Sequence, residues 1–209
     1  MRVNRIAVKV ALSTFLAVVI LMAVLFAALS FIYPSTMMGI TYDLGFESAS
    51  IQYAKHAYKR SDEIYYIAFA TEVAIGEKDY EKIEECGEKF VADKGFSAYC
   101  RDKNEGKPEG VTTTYQQYVY GQVAVAKYYV GKAEDAVDFA FLINRKAFPQ
   151  NNAVAAVLLT AIKRQDGQAV QMILEKLEAF RAETEGTLTD EDGAYLYRMI
   201  GFAQVYGNG

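Results

Sequence analysis

The sequence predicts an all-helical protein: one membrane-spanning helix near the N-terminus, about four helix pairs after it, and a closing helix. Three observations lead there. Residues 10–33 contain no charged side chain. Beyond them, apolar residues recur at spacings of three and four, with no alternating strand pattern and no hairpin dipeptide between apolar runs. Similar turn sequences recur 34 residues apart, which is the mark of a helix-pair repeat.

The charge-free run VALSTFLAVVILMAVLFAALSFIY has 24 residues. At about 1.5 Å per residue it reaches about 36 Å, more than a bilayer's hydrocarbon core. Ala28-Leu29-Ser30 would suit signal-peptide cleavage, but signal h-regions span roughly 7 to 15 residues, so an uncleaved anchor is expected. Arg2, Arg5 and Lys9 precede the run, and the next basic residue is Lys55. The positive-inside rule then places the N-terminus in the cytoplasm and the remainder outside it. Residues 1–33 form the basic flank and anchor, which meets the lipid bilayer through residues 10–33, and residues 34–206 form the helical domain.

In that domain the pattern predicts helices over 34–44, 47–60, 62–76, 79–92, 113–130, 133–147, 152–165, 167–184 and 189–206. Pro34 suits a first turn. Ser61, Thr113 with Gln116, Asn151-Asn152, and Thr189 with Asp192 are the expected caps. Residues 93–111, with glycines, lysines and Pro108, read as an inserted loop over one face.

Composition removes several function classes. The whole chain has 22 basic and 26 acidic residues among 209, and all 26 acids fall after residue 33, so the domain is acidic. Nucleic-acid binding, which needs a basic footprint, is not expected. His56 is the only histidine, and a packed structural role suits it better than a ligand or general base. There is no Walker loop, Gly-x-Ser-x-Gly elbow, dinucleotide fingerprint or Cys-x-x-Cys. No cofactor, metal or catalytic residue is expected. Asp190-Glu191-Asp192-Gly193 lacks the further ligands of a calcium loop and reads as a charged helix start.

Four turns resemble one another: Leu44-Gly45-Phe46-Glu47-Ser48-Ala49, Lys78-Asp79-Tyr80-Glu81-Lys82-Ile83, Gly131-Lys132-Ala133-Glu134-Asp135-Ala136 and Gln165-Asp166-Gly167-Gln168-Ala169-Val170. Ala49 to Ile83 is 34 residues, Ala136 to Val170 is 34, and the middle gap is 19 longer. The second helices offer Ile83, Gly87 and Phe90; Ala136, Ala140 and Ile143; and Val170, Leu174 and Leu177. Pro149 closes the third pair. In these features the chain resembles the tetratricopeptide repeat (TPR), an α-solenoid of helix pairs, although it has no tryptophan. The resemblance implies a curved groove lined by first helices, with Tyr65, Ala68 and Glu72, then Tyr118, Val125 and Tyr129, facing it. It also implies recognition of a protein or peptide.

The chain has 16 tyrosines, which suit peptide recognition or, equally, the interfaces between helices. The acids crowded between Glu77 and Asp93 read as a solvated helix face or as a patch for a basic partner. Cys86 and Cys100 either form a disulfide tying the insertion to its helix or remain two thiols. The expected function is a membrane-anchored interaction scaffold at the cell envelope. The alternatives are an accessory subunit that docks through its membrane helix and, less favoured, an envelope enzyme using carboxylates.

Overall fold

The computed structural model describes residues 5–105, 114–142 and 152–207. Among these there are eleven α-helices and no strand: α1 (Arg5–Ile32), α2 (Pro34–Asp43), α3 (Glu47–Ser61), α4 (Ile64–Glu77), α5 (Tyr80–Ala92), α6 (Phe96–Glu105), α7 (Tyr115–Tyr129), α8 (Ala133–Phe141), α9 (Asn152–Lys163), α10 (Gly167–Thr184) and α11 (Asp190–Gly207). The predicted helices match to within two residues at each end. The exception is the end of α8, where residues 143–151, with Ile143, Pro149 and the expected Asn151 cap, lie outside the described residues.

The inserted segment departs from expectation. It was expected to be a loop throughout, yet its first part is α6, with Phe96 and Cys100 buried one turn apart. The Phe96 ring meets Phe90 edge-on at 4.9 Å, and Tyr99 meets the same ring at 5.4 Å. Three well-placed apolar side chains thus outweigh the glycine and lysine around them. Residues 106–113, with Pro108 and the expected Thr113 cap, lie outside the described residues.

The four similar turns share one backbone geometry. Gly45, Lys78, Gly131 and Gln165 all adopt left-handed φ, at 75°, 55°, 86° and 56°. In each turn this residue's N–H bonds to the carbonyl three residues back: Gly45 to Tyr42, Lys78 to Ile75, Gly131 to Tyr128 and Gln165 to Ile162. The following N–H bonds to the carbonyl five residues back, as Phe46 to Thr41, Asp79 to Ala74, Lys132 to Lys127 and Asp166 to Ala161. That is the Schellman helix stop, repeated four times. Asp79 and Asp166 then cap the next helix by accepting from Lys82 N–H and Ala169 N–H. The remaining caps are Thr114 with Gln117, one residue beyond the expected pair, and Thr189, which accepts from Asp192 N–H. Ser61 accepts weakly from Glu63 N–H at 3.3 Å.

Packing is mostly between neighbours: α2 on α3, α3 on α4, α4 on α5, α5 on α7, α7 on α8 and α9, α9 on α10, and α10 on α11. Burial of aliphatic and aromatic side chains is the main stabilising term, about 1.5–3 kcal/mol for each large one fully buried. One apolar core gathers Met38 through Ala126 and includes Ile51, Ile67, Ile83, Phe90 and Val119. The other runs from Ala124 to Ala203 and includes Val157, Leu158, Ile173, Leu177 and Leu196. Helix α7 belongs to both, and Tyr120 and Phe139 pack against both. Where α5 crosses α7, Gly87 leaves room for Val123: a Cβ at Gly87 would lie 2.3 Å from the Val123 Cγ2 atom.

Helix α1 is exposed along Val8–Ile32, a stretch long and apolar enough to cross a membrane. Its last turn is fastened to α3. Tyr53 Oη donates to Ser30 Oγ at 2.9 Å, and Arg60 donates to the Phe31 carbonyl at 2.6 Å. His56 meets the Phe31 ring edge-on at 5.8 Å. A helix leaves its last four carbonyls without internal partners, and the Arg60 guanidinium satisfies one of them.

Candidate functional site

Tyr65, Phe69 and Glu72 lie four and three residues apart on α4, so they form one stripe along it. Tyr65 is 53% exposed and its ring lies 6.5 Å from Phe69. Phe69 in turn meets Tyr42 of α2 edge-on at 5.3 Å. From α7, Tyr115 donates its hydroxyl to Glu72, and Tyr118, 42% exposed, stands 6.3 Å from Tyr115. Helices α2, α4 and α7 therefore present a continuous aromatic surface around one carboxylate.

The insertion completes this surface. Lys103 of α6 pairs with Glu72 at 3.1 Å and lies over the rings of Tyr99 and Tyr115 at 5.5 and 5.8 Å. Burial, then the Glu72 carboxylate, pushes the Tyr115 and Tyr118 hydroxyls above the ordinary tyrosine range, so both remain neutral donors. Beside Glu72 a cleft of about 530 Å³ opens between α2 and α4. Tyr42 and Phe69 give it ring surface, while Asp43, Glu47, Glu72 and Glu77 give it negative charge.

Of the six groove residues expected from the sequence, Tyr65, Glu72 and Tyr118 share this face. Ala68 does not: it is fully buried. Three residues from Tyr65 is about 60° short of a full turn, enough to carry Ala68 off the stripe and into the core. Val125 is half-buried against the second core. Tyr129 is exposed but lies eleven residues beyond Tyr118, about 16 Å along α7. There it stacks on Tyr80 with centroids 4.1 Å apart and planes 7° from parallel, and Arg164 lies 5.1 Å from its ring. Its neighbour Tyr128 donates to Asp166 at 2.6 Å. That bond, helped by the Ala169 N–H, holds the Asp166 carboxyl below its ordinary range. These contacts join the end of α7 to the turn between α9 and α10.

Glu84, Glu85 and Glu88 of α5 have partners within the chain. Lys127, 4% exposed, pairs with Glu88 and with Glu84, the latter at 3.6 Å, and lies 5.5 Å from the Phe139 ring. Lys132 pairs with Glu84 at 2.6 Å. Glu85 bridges Lys55 and Lys89 at 2.6 and 2.9 Å, and Asp79 pairs with Lys82. Four of the seven acids from Glu77 to Asp93 thus pair with lysines of α3, α5 and α7 and of the turn to α8, on a face that stays largely open to solvent.

Cys86 and Cys100 are free thiols, both buried. Burial pushes them up to about 11 and about 12, so each is an inert apolar side chain at neutral pH. His56 is half-buried against Phe31. Among the described residues no group of histidine, cysteine, aspartate or glutamate is arranged to hold a metal ion.

Sequence reasoning singled out Tyr65, Glu72 and Tyr118 but missed Tyr42, Phe69, Tyr115 and Lys103 as members of the same surface. Tyr115 and Tyr118, three apart on one helix, carried a signal. Lys103 carried none, because its role depends on α6 being a helix. Comparison with protein-family models, curated proteins and solved structures finds no match for this chain.

Proposed function

We propose that the chain is a single-pass membrane protein whose paired helices form a TPR-like stack, and that the α2–α4–α7 face binds a protein or peptide partner. The observation that carries this reading is the exposed aromatic surface of Tyr42, Tyr65, Phe69 and Tyr118 around the Glu72 cleft. Tyrosine offers large contact area with little side-chain entropy to lose, and rings beside carboxylates suit a segment bearing lysine or arginine. The four helix stops of one geometry, at Gly45, Lys78, Gly131 and Gln165, with spacings of 33 and 34 residues on either side of the insertion, support the stack. The charge-free run and its basic flank support an anchor with the N-terminus inside and the domain outside.

Photo-crosslinking in cells from positions 42 and 69, followed by mass spectrometry, tests the reading. The same partner should be captured from both positions and lost from Tyr65→Ala/Tyr118→Ala protein that still folds. Capture unaffected by the double substitution would remove the face from the account.

A second reading is favoured by the fastening of α1 to α3: an accessory subunit that docks through its membrane helix needs that helix held firmly against its body. Replacing residues 10–33 with an unrelated membrane helix separates the two. Partners kept after the exchange belong to the helical domain, and partners lost belong to the anchor.

A further inference from the structure

On the side of the molecule where α1 ends, Gln52, Lys55, His56 and Lys59 of α3 and Lys89 of α5 surround a cleft of about 420 Å³ floored by Ile67. Three lysines line this cleft together with Tyr58, whose hydroxyl donates to Asp93 at 2.7 Å, and Glu85 bridges Lys55 and Lys89 and leaves Lys59 outside that network. His56 both lines the cleft and meets the Phe31 ring of α1 at 5.8 Å, so the cleft lies one ring away from the last turn of the apolar run. That run has 25 residues, about 37 Å of helix against a hydrocarbon core of about 30 Å. With α1 in a bilayer, its last turn stands at the level of the lipid phosphates. Tyr53, His56 and Arg60 of α3 meet that turn and occupy the same level.

We propose that this cleft binds the phosphate headgroup of an anionic phospholipid in the leaflet where α1 emerges. Lys59 and Lys89 meet the phosphate, the Gln52 amide donates to it, and the acyl chains continue along the exposed apolar side of α1. The inference rests on α1 spanning the membrane. It needs no partner protein and concerns a different face from the aromatic surface.

The test uses the full chain in nanodiscs of phosphatidylcholine containing a trace of photo-crosslinkable phosphatidylglycerol or photo-crosslinkable phosphatidylcholine. Labelled peptides are mapped by mass spectrometry. Labelling of residues 10–32 by both lipids reports that α1 is in the bilayer, whereas labelling of residues 52–60 reports the cleft. The glycerol lipid should label 52–60 several-fold more than the choline lipid. Lys59→Gln should lower that labelling about ten-fold and Lys59→Gln/Lys89→Gln further, a hydrogen bond to a charged group being worth about that factor. Labelling along α1 should stay unchanged.

Equal labelling by the two lipids, or a preference that survives the double substitution, would overturn the site while leaving the anchor intact. Absent labelling along α1 would overturn the anchor itself and the inference with it. Loss of the 52–60 signal on adding excess glycerol 3-phosphate would reassign the cleft to a soluble phosphate ester. Lys59 and Lys89 are exposed, and helix content by circular dichroism confirms that the variants fold.

Discussion

At the scale of single residues, Gly87 makes the most specific demand. Its missing Cβ admits the Val123 methyl, and Val123 is β-branched and fully buried, so it cannot turn away at low cost. Gly87→Ala should destabilise the protein by about 1–3 kcal/mol in chemical denaturation, and Val123→Ala in the same chain should recover part of that loss. Additive losses would show that the two sites do not compete for space. Titration gives a second prediction. The Asp166 and Asp79 carboxyls are held below their ordinary range, chiefly by the Tyr128 hydroxyl and the Lys82 side chain respectively. A depressed carboxylate contributes stability above its unfolded value, near 3.9, and loses it as pH falls through the folded value. The Cys86 and Cys100 thiols are shifted the other way, to about 11 and about 12. Their contribution is complete below an unfolded value near 8.5 and is lost as pH rises toward the folded values. The melting temperature should therefore hold a plateau between about pH 5 and 8 and fall on both sides. Tyr128→Phe should make the acid limb shallower, because Asp166 then titrates nearer its unfolded value, and should leave the onset of the alkaline limb, set by the thiols, in place. Thiol titration in oxidant-free buffer should find both cysteines unreactive when folded and both reactive in denaturant, and a disulfide would leave neither reactive.

At the scale of elements, the repeated helix stop is the part most open to change. Gly45 and Gly131 meet its left-handed residue without strain, whereas Lys78 and Gln165 carry a Cβ there. Lys78→Gly and Gln165→Gly should each stabilise by about 0.5–1 kcal/mol, and Gly131→Ala should destabilise by a similar amount, all read from denaturation midpoints. A loss of stability in both glycine substitutions would mean that the lysine and glutamine side chains contribute more than the backbone strain costs. These turns were legible in the sequence because a Schellman stop followed by a capping aspartate leaves a local pattern, as in Lys78-Asp79 and Gln165-Asp166. Helix α6 was not legible. Ten residues containing Arg101, Asp102, Lys103, Asn104 and Glu105 carry too little apolar periodicity to stand out, and Phe96 and Cys100 are decisive only once Phe90 and Val119 surround them. The candidate site was legible to the same degree. Tyr65, Glu72 and Tyr118 follow from the turn positions of the repeat resemblance, carried onto α4 and α7. Ala68 was misplaced because a register one position off rotates a residue by 100°, the difference between a groove and a core.

At the scale of the whole molecule, α1 is joined to the helical domain by more than its connecting residue. Pro34 starts α2 directly after Tyr33, and Arg60 and Tyr53 reach back from α3 to the end of α1. Arg60→Ala should broaden the distribution of distances between spin labels on α1 and α3 in bilayers, while the melting temperature of the domain changes little because Arg60 is exposed. An unchanged distribution would assign the joint to Pro34 and Tyr53 alone.

That joint gives the molecule the character of a lever. An apolar run longer than the hydrocarbon core adjusts to bilayer thickness mainly by leaning, and a thinner bilayer makes it lean further. With a flexible linker the lean would be absorbed at the linker and the domain would be indifferent to it. Here, under the proposed anchoring, the guanidinium clamp on the Phe31 carbonyl would transmit it, and the domain would swing as α1 leans. Membrane thickness would then be a mechanical input that sets which direction the aromatic face points, and with it how far from the bilayer the proposed partner would stand.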